Sequence, residues 1–266
     1  MKQMHHFFTL LLLLSLPVLS SAQSETTTPL EGTWYLTKAK WDDDAEHKTP
    51  EQNVYKIYTD RHFFFLYYND TELLGAGGGT YKVDNNTFTE KLTYFSWDST
   101  AIGTSQTYDW TLTGNTFHQS GLIKGAESYE DYVIDEYYER VEEDFTANPA
   151  TDLVGVWLYK DGKGDTADYR TRNNIKTYKV ITSKYFYFVF IDQDIATFDG
   201  AGFGTYTYNN GKYSETILAF SFDPSAVGKT FDFEMEITDN QFIQKGKMDT
   251  DEYENFSVRE RYVRVE

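Results

Sequence analysis

The sequence predicts an all-β protein built as two tandem eight-stranded antiparallel up-and-down β-barrels. Three observations carry this. The chain repeats itself once along its length, its 22 Tyr and 20 Phe fall in short runs between turn residues, and no helical periodicity lasts beyond a turn or two. Aromatic side chains favour pleated, half-buried surfaces, so this composition points to strands.

The repeat fixes the domain organisation. Leu30, Gly32 and Trp34 find counterparts in Leu153, Gly155 and Trp157, and Tyr55-Lys56 to Phe65 in Tyr178-Lys179 to Phe188. Gly75-Ala76-Gly77-Gly78-Gly79-Thr80-Tyr81 meets Gly200-Ala201-Gly202-Phe203-Gly204-Thr205-Tyr206. Asn115, Phe117, Gln119 and Gly121 meet Asn240, Phe242, Gln244 and Gly246, and Glu136, Tyr138 and Arg140-Val141-Glu142 meet Glu260, Tyr262 and Arg264-Val265-Glu266. Residues 30–142 and 153–266 are therefore read as barrels 1 and 2, with 143–152 as a polar linker containing Asn148-Pro149.

Residues 1–22 read as a signal peptide: Lys2, an apolar run from Phe7 to Val18, then Ser20-Ser21-Ala22. The expectation is an exported protein, periplasmic or secreted. The apolar run is broken by Pro17 and is too short to span a membrane, and no later segment qualifies. With no cysteine in the chain, lipoprotein anchoring, disulfides and thiolate chemistry are all excluded. Forty-two acidic against 24 basic residues give a formal charge of −18, which argues against nucleic acid as a partner and for solubility.

In the first copy the strands fall near 32 to 39, 53 to 59, 62 to 68, 79 to 84, 87 to 95, 105 to 112, 116 to 122 and 129 to 141. Thr59-Asp60-Arg61, Asp84-Asn85-Asn86 and Thr113-Gly114-Asn115 supply tight turns. Thr182-Ser183-Lys184, Asn209-Asn210-Gly211 and Thr238-Asp239-Asn240 repeat them in the second. Closure of the sheet removes exposed edges. It also pairs the first strand with the last, bringing Arg140 over the Trp34 indole beside Gly32, and Arg264 over Trp157 beside Gly155.

A Gly-x-Trp on the first strand with an Arg ending the last resembles the calycin superfamily, which includes lipocalins, fatty-acid-binding proteins and avidins, and points to a lipocalin-like exported bacterial family of uncharacterised function. The resemblance implies a barrel with a ligand cavity. Intracellular fatty-acid-binding proteins place a carboxylate-holding Arg two residues before the last-strand Tyr. Here Glu136 and Glu260 stand in that place and, by strand alternation, point inward with Tyr138 and Tyr262. An anionic head group would meet repulsion there.

Other motifs carry little chemistry. The glycine runs lack the following helix and the Lys-Ser/Thr of a phosphate loop, and read as a bent or bulged strand start. His47, His62 and His118 are scattered and not duplicated, and Asp42-Asp43-Asp44, Asp161 with Asp165 and Asp168, and Asp249-Thr250-Asp251-Glu252 lack a calcium-loop ladder. No metal, cofactor or catalytic residue is expected. Asp98 and Asp223 read as loop carboxylates bonded to backbone.

The leading expectation is a non-catalytic protein holding a small apolar or amphipathic molecule in one or both barrels. Its candidate contacts are Glu136, Tyr138, Glu260, Tyr262, Phe63, Phe65, Phe186 and Phe188. The alternative is binding of a protein or glycan through Tyr-rich faces such as Tyr67-Tyr68 and Tyr137-Tyr138. A carboxylate-based hydrolase using Glu136 and Glu260 ranks below both.

Overall fold

The structure is a computed structural model, and it describes residues 29–42, 44–84, 87–125, 130–141, 151–195 and 197–266. The predicted signal peptide, the linker apart from its last two residues, Asp43 and the Asn85-Asn86 turn lie outside the described residues.

Barrel 1 runs β1 Gly32–Trp41, β2 Asn53–Tyr58, β3 His62–Tyr68, β4 Leu73–Asp84, β5 Thr87–Phe95, β6 Ser105–Thr113, β7 Thr116–Ile123 and β8 Tyr132–Arg140. Every neighbour in sequence pairs antiparallel, and β1 closes on β8. Barrel 2 repeats the order with β9 Gly155–Gly162, β10 Ile175–Ile181, β11 Tyr185–Asp192, β12 Thr197–Asn209, β13 Lys212–Phe220, β14 Thr230–Thr238, β15 Gln241–Met248 and β16 Phe256–Arg264, closing β16 on β9. The strand plan is interrupted between β9 and β10 by an eight-residue helix, α1 Asp165–Arg172.

Closure forms as the chain ends predict. Trp34 pairs with Arg140 and Trp157 with Arg264, and each guanidinium carbon lies over its indole, at 4.2 and 4.1 Å from the ring centre. Each indole N–H donates to a carbonyl four residues back, Leu30 or Leu153, at 2.8 Å. The glycine of Gly-x-Trp is required twice over. Gly32 and Gly155 sit at φ of 130° and 146°, and a Cβ on either would run into the Arg140 or Arg264 guanidinium.

The glycine-rich segments lie within β4 and β12 rather than at a strand start. Both strands carry a bulge there, between Gly78 and Gly79 and between Phe203 and Gly204. The missing side chains let aromatic rings from β3 and β11 lie across the sheet.

Strands β3 and β11 are apolar on both faces. Phe63, Phe65 and Tyr67 point into barrel 1, whereas Phe64, Leu66 and Tyr68 join a core shared with Val180, Tyr185, Tyr187, Val189 and Phe203 of barrel 2. The barrels thus pack side by side on an aromatic joint. Tyr55 lies 5.0 Å from Phe203 and 5.5 Å from Tyr185, ring centre to ring centre, and the Tyr94 and Tyr187 hydroxyls share a 3.0 Å hydrogen bond.

The rim of this joint is ionic. The Glu266 carboxylate accepts from Thr59, from His62, and from Arg61 Nε at 3.2 Å; Arg61 also lies 3.6 Å from Asp60. Burial pushes the Glu266 carboxyl up, but the bonds from His62, Thr59 and the Arg61 amide outweigh it and hold it below the usual range. A depressed carboxyl stabilises the fold above its unfolded value of about 4.3, and that stabilisation is lost as pH falls through the folded value. Acidification below pH 4 should therefore loosen the joint, raising amide exchange of β2–β3 and β10–β11. Glu266→Gln should flatten this dependence. Equal acid sensitivity in both proteins would show that Glu266 does not set it.

Candidate functional site

Each barrel buries a polar network in its apolar interior, at matched positions. In barrel 1, Lys56 Nζ donates to Glu90 Oε1 and to Gln119 Oε1, both at 3.1 Å, and the Tyr58 hydroxyl donates to Glu90 at 2.6 Å. Gln119 Nε2 continues the chain to Glu136 Oε2 at 2.6 Å, where the Tyr138 hydroxyl also donates at 2.9 Å. Barrel 2 repeats it. Lys179 pairs with Glu215 and donates to Gln244 at 2.8 Å; Gln244 and the Tyr262 hydroxyl then donate to Glu260 Oε2 at 2.9 and 3.0 Å. Lys56, Glu90, Lys179 and Glu215 are each at most 6 % exposed.

Strand alternation places these groups. Lys56 pairs with Trp34 across β1–β2 and shares its inward face, and Glu136 and Tyr138 alternate inward along β8. Burial, and after it Glu136, push the Tyr138 hydroxyl well above the usual phenol range. For Tyr262, burial and Glu260 outweigh the opposing Arg170 charge and do the same. Both phenols are therefore neutral donors at ordinary pH.

The barrels differ at the second oxygen of the terminal glutamate. In barrel 1, β1 runs on to Trp41, whose indole N–H donates to Glu136 Oε1 at 3.2 Å. In barrel 2, β9 stops at Gly162 and the chain turns into α1, which drops Arg170 into the barrel. Arg170 Nη2 donates to Glu260 Oε1 at 2.7 Å and to the Tyr262 hydroxyl at 3.3 Å. Its guanidinium carbon lies 3.9 Å from the Tyr159 ring centre and 4.7 Å from that of Phe190. Burial opposes the charge, but Glu260 together with the Tyr262 and Tyr159 hydroxyls outweighs it and raises the Arg170 pKa.

A cavity of about 90 Å³ opens beside this cluster in barrel 2. Arg170, Lys179, Glu215, Gln244, Glu260 and Tyr262 form its polar end. Phe188, Phe190, Phe220, Phe222 and Phe233 form apolar walls, and Met248, Tyr253 and Phe256 lie toward solvent. Such a site, apolar with a few convergent polar groups, is the usual form of a small-molecule pocket.

Of the residues expected to contact a ligand, the structure puts Phe188, Glu260 and Tyr262 on this cavity. Phe186 is fully buried in the barrel 2 core and Phe63 in that of barrel 1, where Phe65 packs against the core and stacks on Trp97 at 6.3 Å. Glu136 and Tyr138 belong to the barrel 1 network. Lys56, Glu90, Lys179, Glu215 and Arg170 were missed as site residues. The first four had a signal, a charged side chain duplicated at a core-facing position; Arg170 had none, being unique to the second copy.

Other carboxylates are engaged structurally. Asp98 and Asp223 cap short 3-10 turns, each accepting a 2.8 Å bond from a backbone N–H two residues on, as expected. Asp165 holds Ser257, and Asp161 pairs with Arg261. The histidines are less scattered than the sequence implies. His47 and His118 both meet Asp135 Oδ1, at 3.1 and 2.7 Å, spending both imidazoles on one oxygen. Burial raises the Asp135 pKa, but these two bonds reverse the shift. No metal-holding group of three or more His, Cys, Asp or Glu occurs among the described residues. Among them, too, no helix is long and apolar enough to cross a membrane.

With two closed barrels and their matched interiors in place, sequence comparison matches one domain twice, at residues 29–149 and 152–266, described as a domain of unknown function, DUF4488. The chain belongs to the DUF4488 family. No curated protein matches this DUF4488 chain. In shape it is similar to an uncharacterized protein from Saccharomyces cerevisiae, with 10 % identity, a TM-score of 0.52, and coverage of 89 % of this chain and 98 % of that one. An uncharacterized protein from Bacteroides eggerthii matches at 12 % identity and TM-score 0.30, over 42 % of this chain and 99 % of that one. A DUF3598 protein of unknown function from Nostoc punctiforme matches at 9 % identity and TM-score 0.25, over 88 % of this chain and 95 % of that one. The yeast likeness supports the fold alone.

Proposed function

We propose that this tandem DUF4488 protein is an exported, lipocalin-like binding protein that holds a small, partly apolar ligand in its second barrel without transforming it. The barrel 2 cavity carries this reading: an apolar chamber ending on a buried polar cluster, reached past half-buried side chains at the barrel mouth. The best-placed carboxylate, Glu260, is tied by Arg170, Gln244 and Tyr262, which suits holding a ligand better than general acid or base work. Binding through Tyr-rich faces has less support. Tyr68 is buried in the joint, Tyr67 and Tyr138 point into barrel 1, and Tyr137 is half-buried and stacked on His118 at 4.2 Å.

Met248 on the cavity wall provides a test, because only Met235 and Met248 follow the predicted leader. In protein labelled with carbon-13 at the methionine methyls, added n-pentane should shift the Met248 resonance saturably. Phe188→Trp, which fills the cavity, should abolish the shift. An unmoved Met248 resonance up to the solubility limit of the probe would refute the reading.

A further inference from the structure

Resting on that reading, we infer that the cavity selects uncharged ligands that present a hydrogen-bond acceptor to Arg170, and disfavours their carboxylate counterparts. Arg170 is only 3 % exposed and lines the cavity, yet its Nε and Nη1 have no hydrogen-bond partner. Buried donors left without acceptors are costly and are normally satisfied. These two donors lie on different edges of a guanidinium that lines the cavity, and either can meet an acceptor oxygen. The rings of Tyr159 and Phe190 lie against the guanidinium carbon, which leaves its in-plane N–H groups for a ligand to meet.

Charge balance decides between a carbonyl and a carboxylate. Arg170 and Lys179 already face Glu260 and Glu215, two cations against two carboxylates. A ligand carboxylate would add a third negative charge beside Glu260, enclosed by phenylalanines and with no further cation to offset its desolvation. A carbonyl oxygen of an amide, ketone, ester or lactone satisfies one of these donors and adds no charge.

Size limits the part of the ligand that enters. The cavity, about 90 Å³, is smaller than the roughly 150 Å³ that accepts benzene. An acceptor head with a few carbons fits inside, and any longer body leaves past Met248 and Tyr253. Barrel 1 lacks the determinant, because Trp41 occupies the corresponding oxygen of Glu136.

The test compares pentanamide with pentanoate, near-identical in shape, with n-pentane as the hydrocarbon reference, by titration at pH 7.5 read on the Met248 methyl. Pentanamide should bind at least tenfold more tightly than pentanoate, and Arg170→Met should remove its advantage over n-pentane. Equal or tighter binding of pentanoate overturns the inference, as does an amide preference that survives Arg170→Met. If that variant fails to fold, the wild-type amide-to-carboxylate ratio still decides. Binding of n-pentane without gain for the amide overturns this inference and leaves the cavity reading standing; entry of no probe overturns both.

Discussion

Lys179→Met should destabilise the second barrel by about 3–5 kcal/mol, the cost of leaving a buried carboxylate without its counter-ion. Lys179 and Glu215 are 1 % and 4 % exposed, so little water reaches either. Gln244 would lose the Lys179 donor too and retain only its bond to Glu260. At about 4 °C per kcal/mol for a domain of this size, the transition carrying barrel 2 should fall by roughly 12–20 °C. The double variant Lys179→Met with Glu215→Leu should recover most of the loss, because two apolar groups replace the pair without an orphan charge. A single variant that melts within about 2 °C of the parent would show that the pair is solvated and that the cluster is not a dry anchor for a ligand.

Gly202→Ala should abolish probe binding while leaving the barrel folded, whereas Gly204→Ala should impair folding. The two positions lie two residues apart on β12, with their missing side chains directed at different obstacles. A Cβ on Gly202 meets the tip of the Phe188 ring, a side chain that can swing into the cavity it lines. Overpacking of that kind costs about 1–3 kcal/mol. A Cβ on Gly204 meets the carbonyl oxygen of Thr216, backbone held in the β12–β13 ladder, which cannot yield without breaking the pairing. Gly77 and Gly79 repeat the contrast in barrel 1, against the Phe65 ring and the Lys91 carbonyl. Titration of both barrel 2 variants with n-pentane and thermal unfolding separate the effects. Full binding by Gly202→Ala would mean that Phe188 moves elsewhere than into the cavity.

The architecture was legible because duplication turns a weak signal into a strong one. Gly-x-Trp and a terminal Arg mark one strand end each, but their recurrence in order, with the turns between them, defines two closed sheets. Inward placement of Glu136 and Glu260 followed from alternation alone. The joint between the barrels was written less openly, in the unbroken apolar runs of β3 and β11, where one-sided burial would give alternation. The networks were hidden for another reason. Lys56, between Tyr55 and Ile57, and Glu90, between Thr89 and Lys91, each read singly as a solvated charge, and only pairing across strands shows that they face inward together. Arg170 could not be read at all, since α1 is a two-turn insertion whose Asp165 and Asp168 suit a solvated loop as well as a helix start.

Divergence between the copies accounts for the asymmetry of the proposed function. Both inherit the Lys-Glu-Gln-Glu chain, but one ends it on an indole and the other on a guanidinium with two donors to spare. The first barrel is thereby suited to support and the second to recognition.

Native mass spectrometry of the protein purified from its own source decides whether the second barrel carries a ligand. A bound, uncharged small molecule is expected, released on denaturation and absent from Gly202→Ala. Protein carrying no added mass, under conditions in which a pentanamide-loaded sample keeps its ligand, would contradict that expectation.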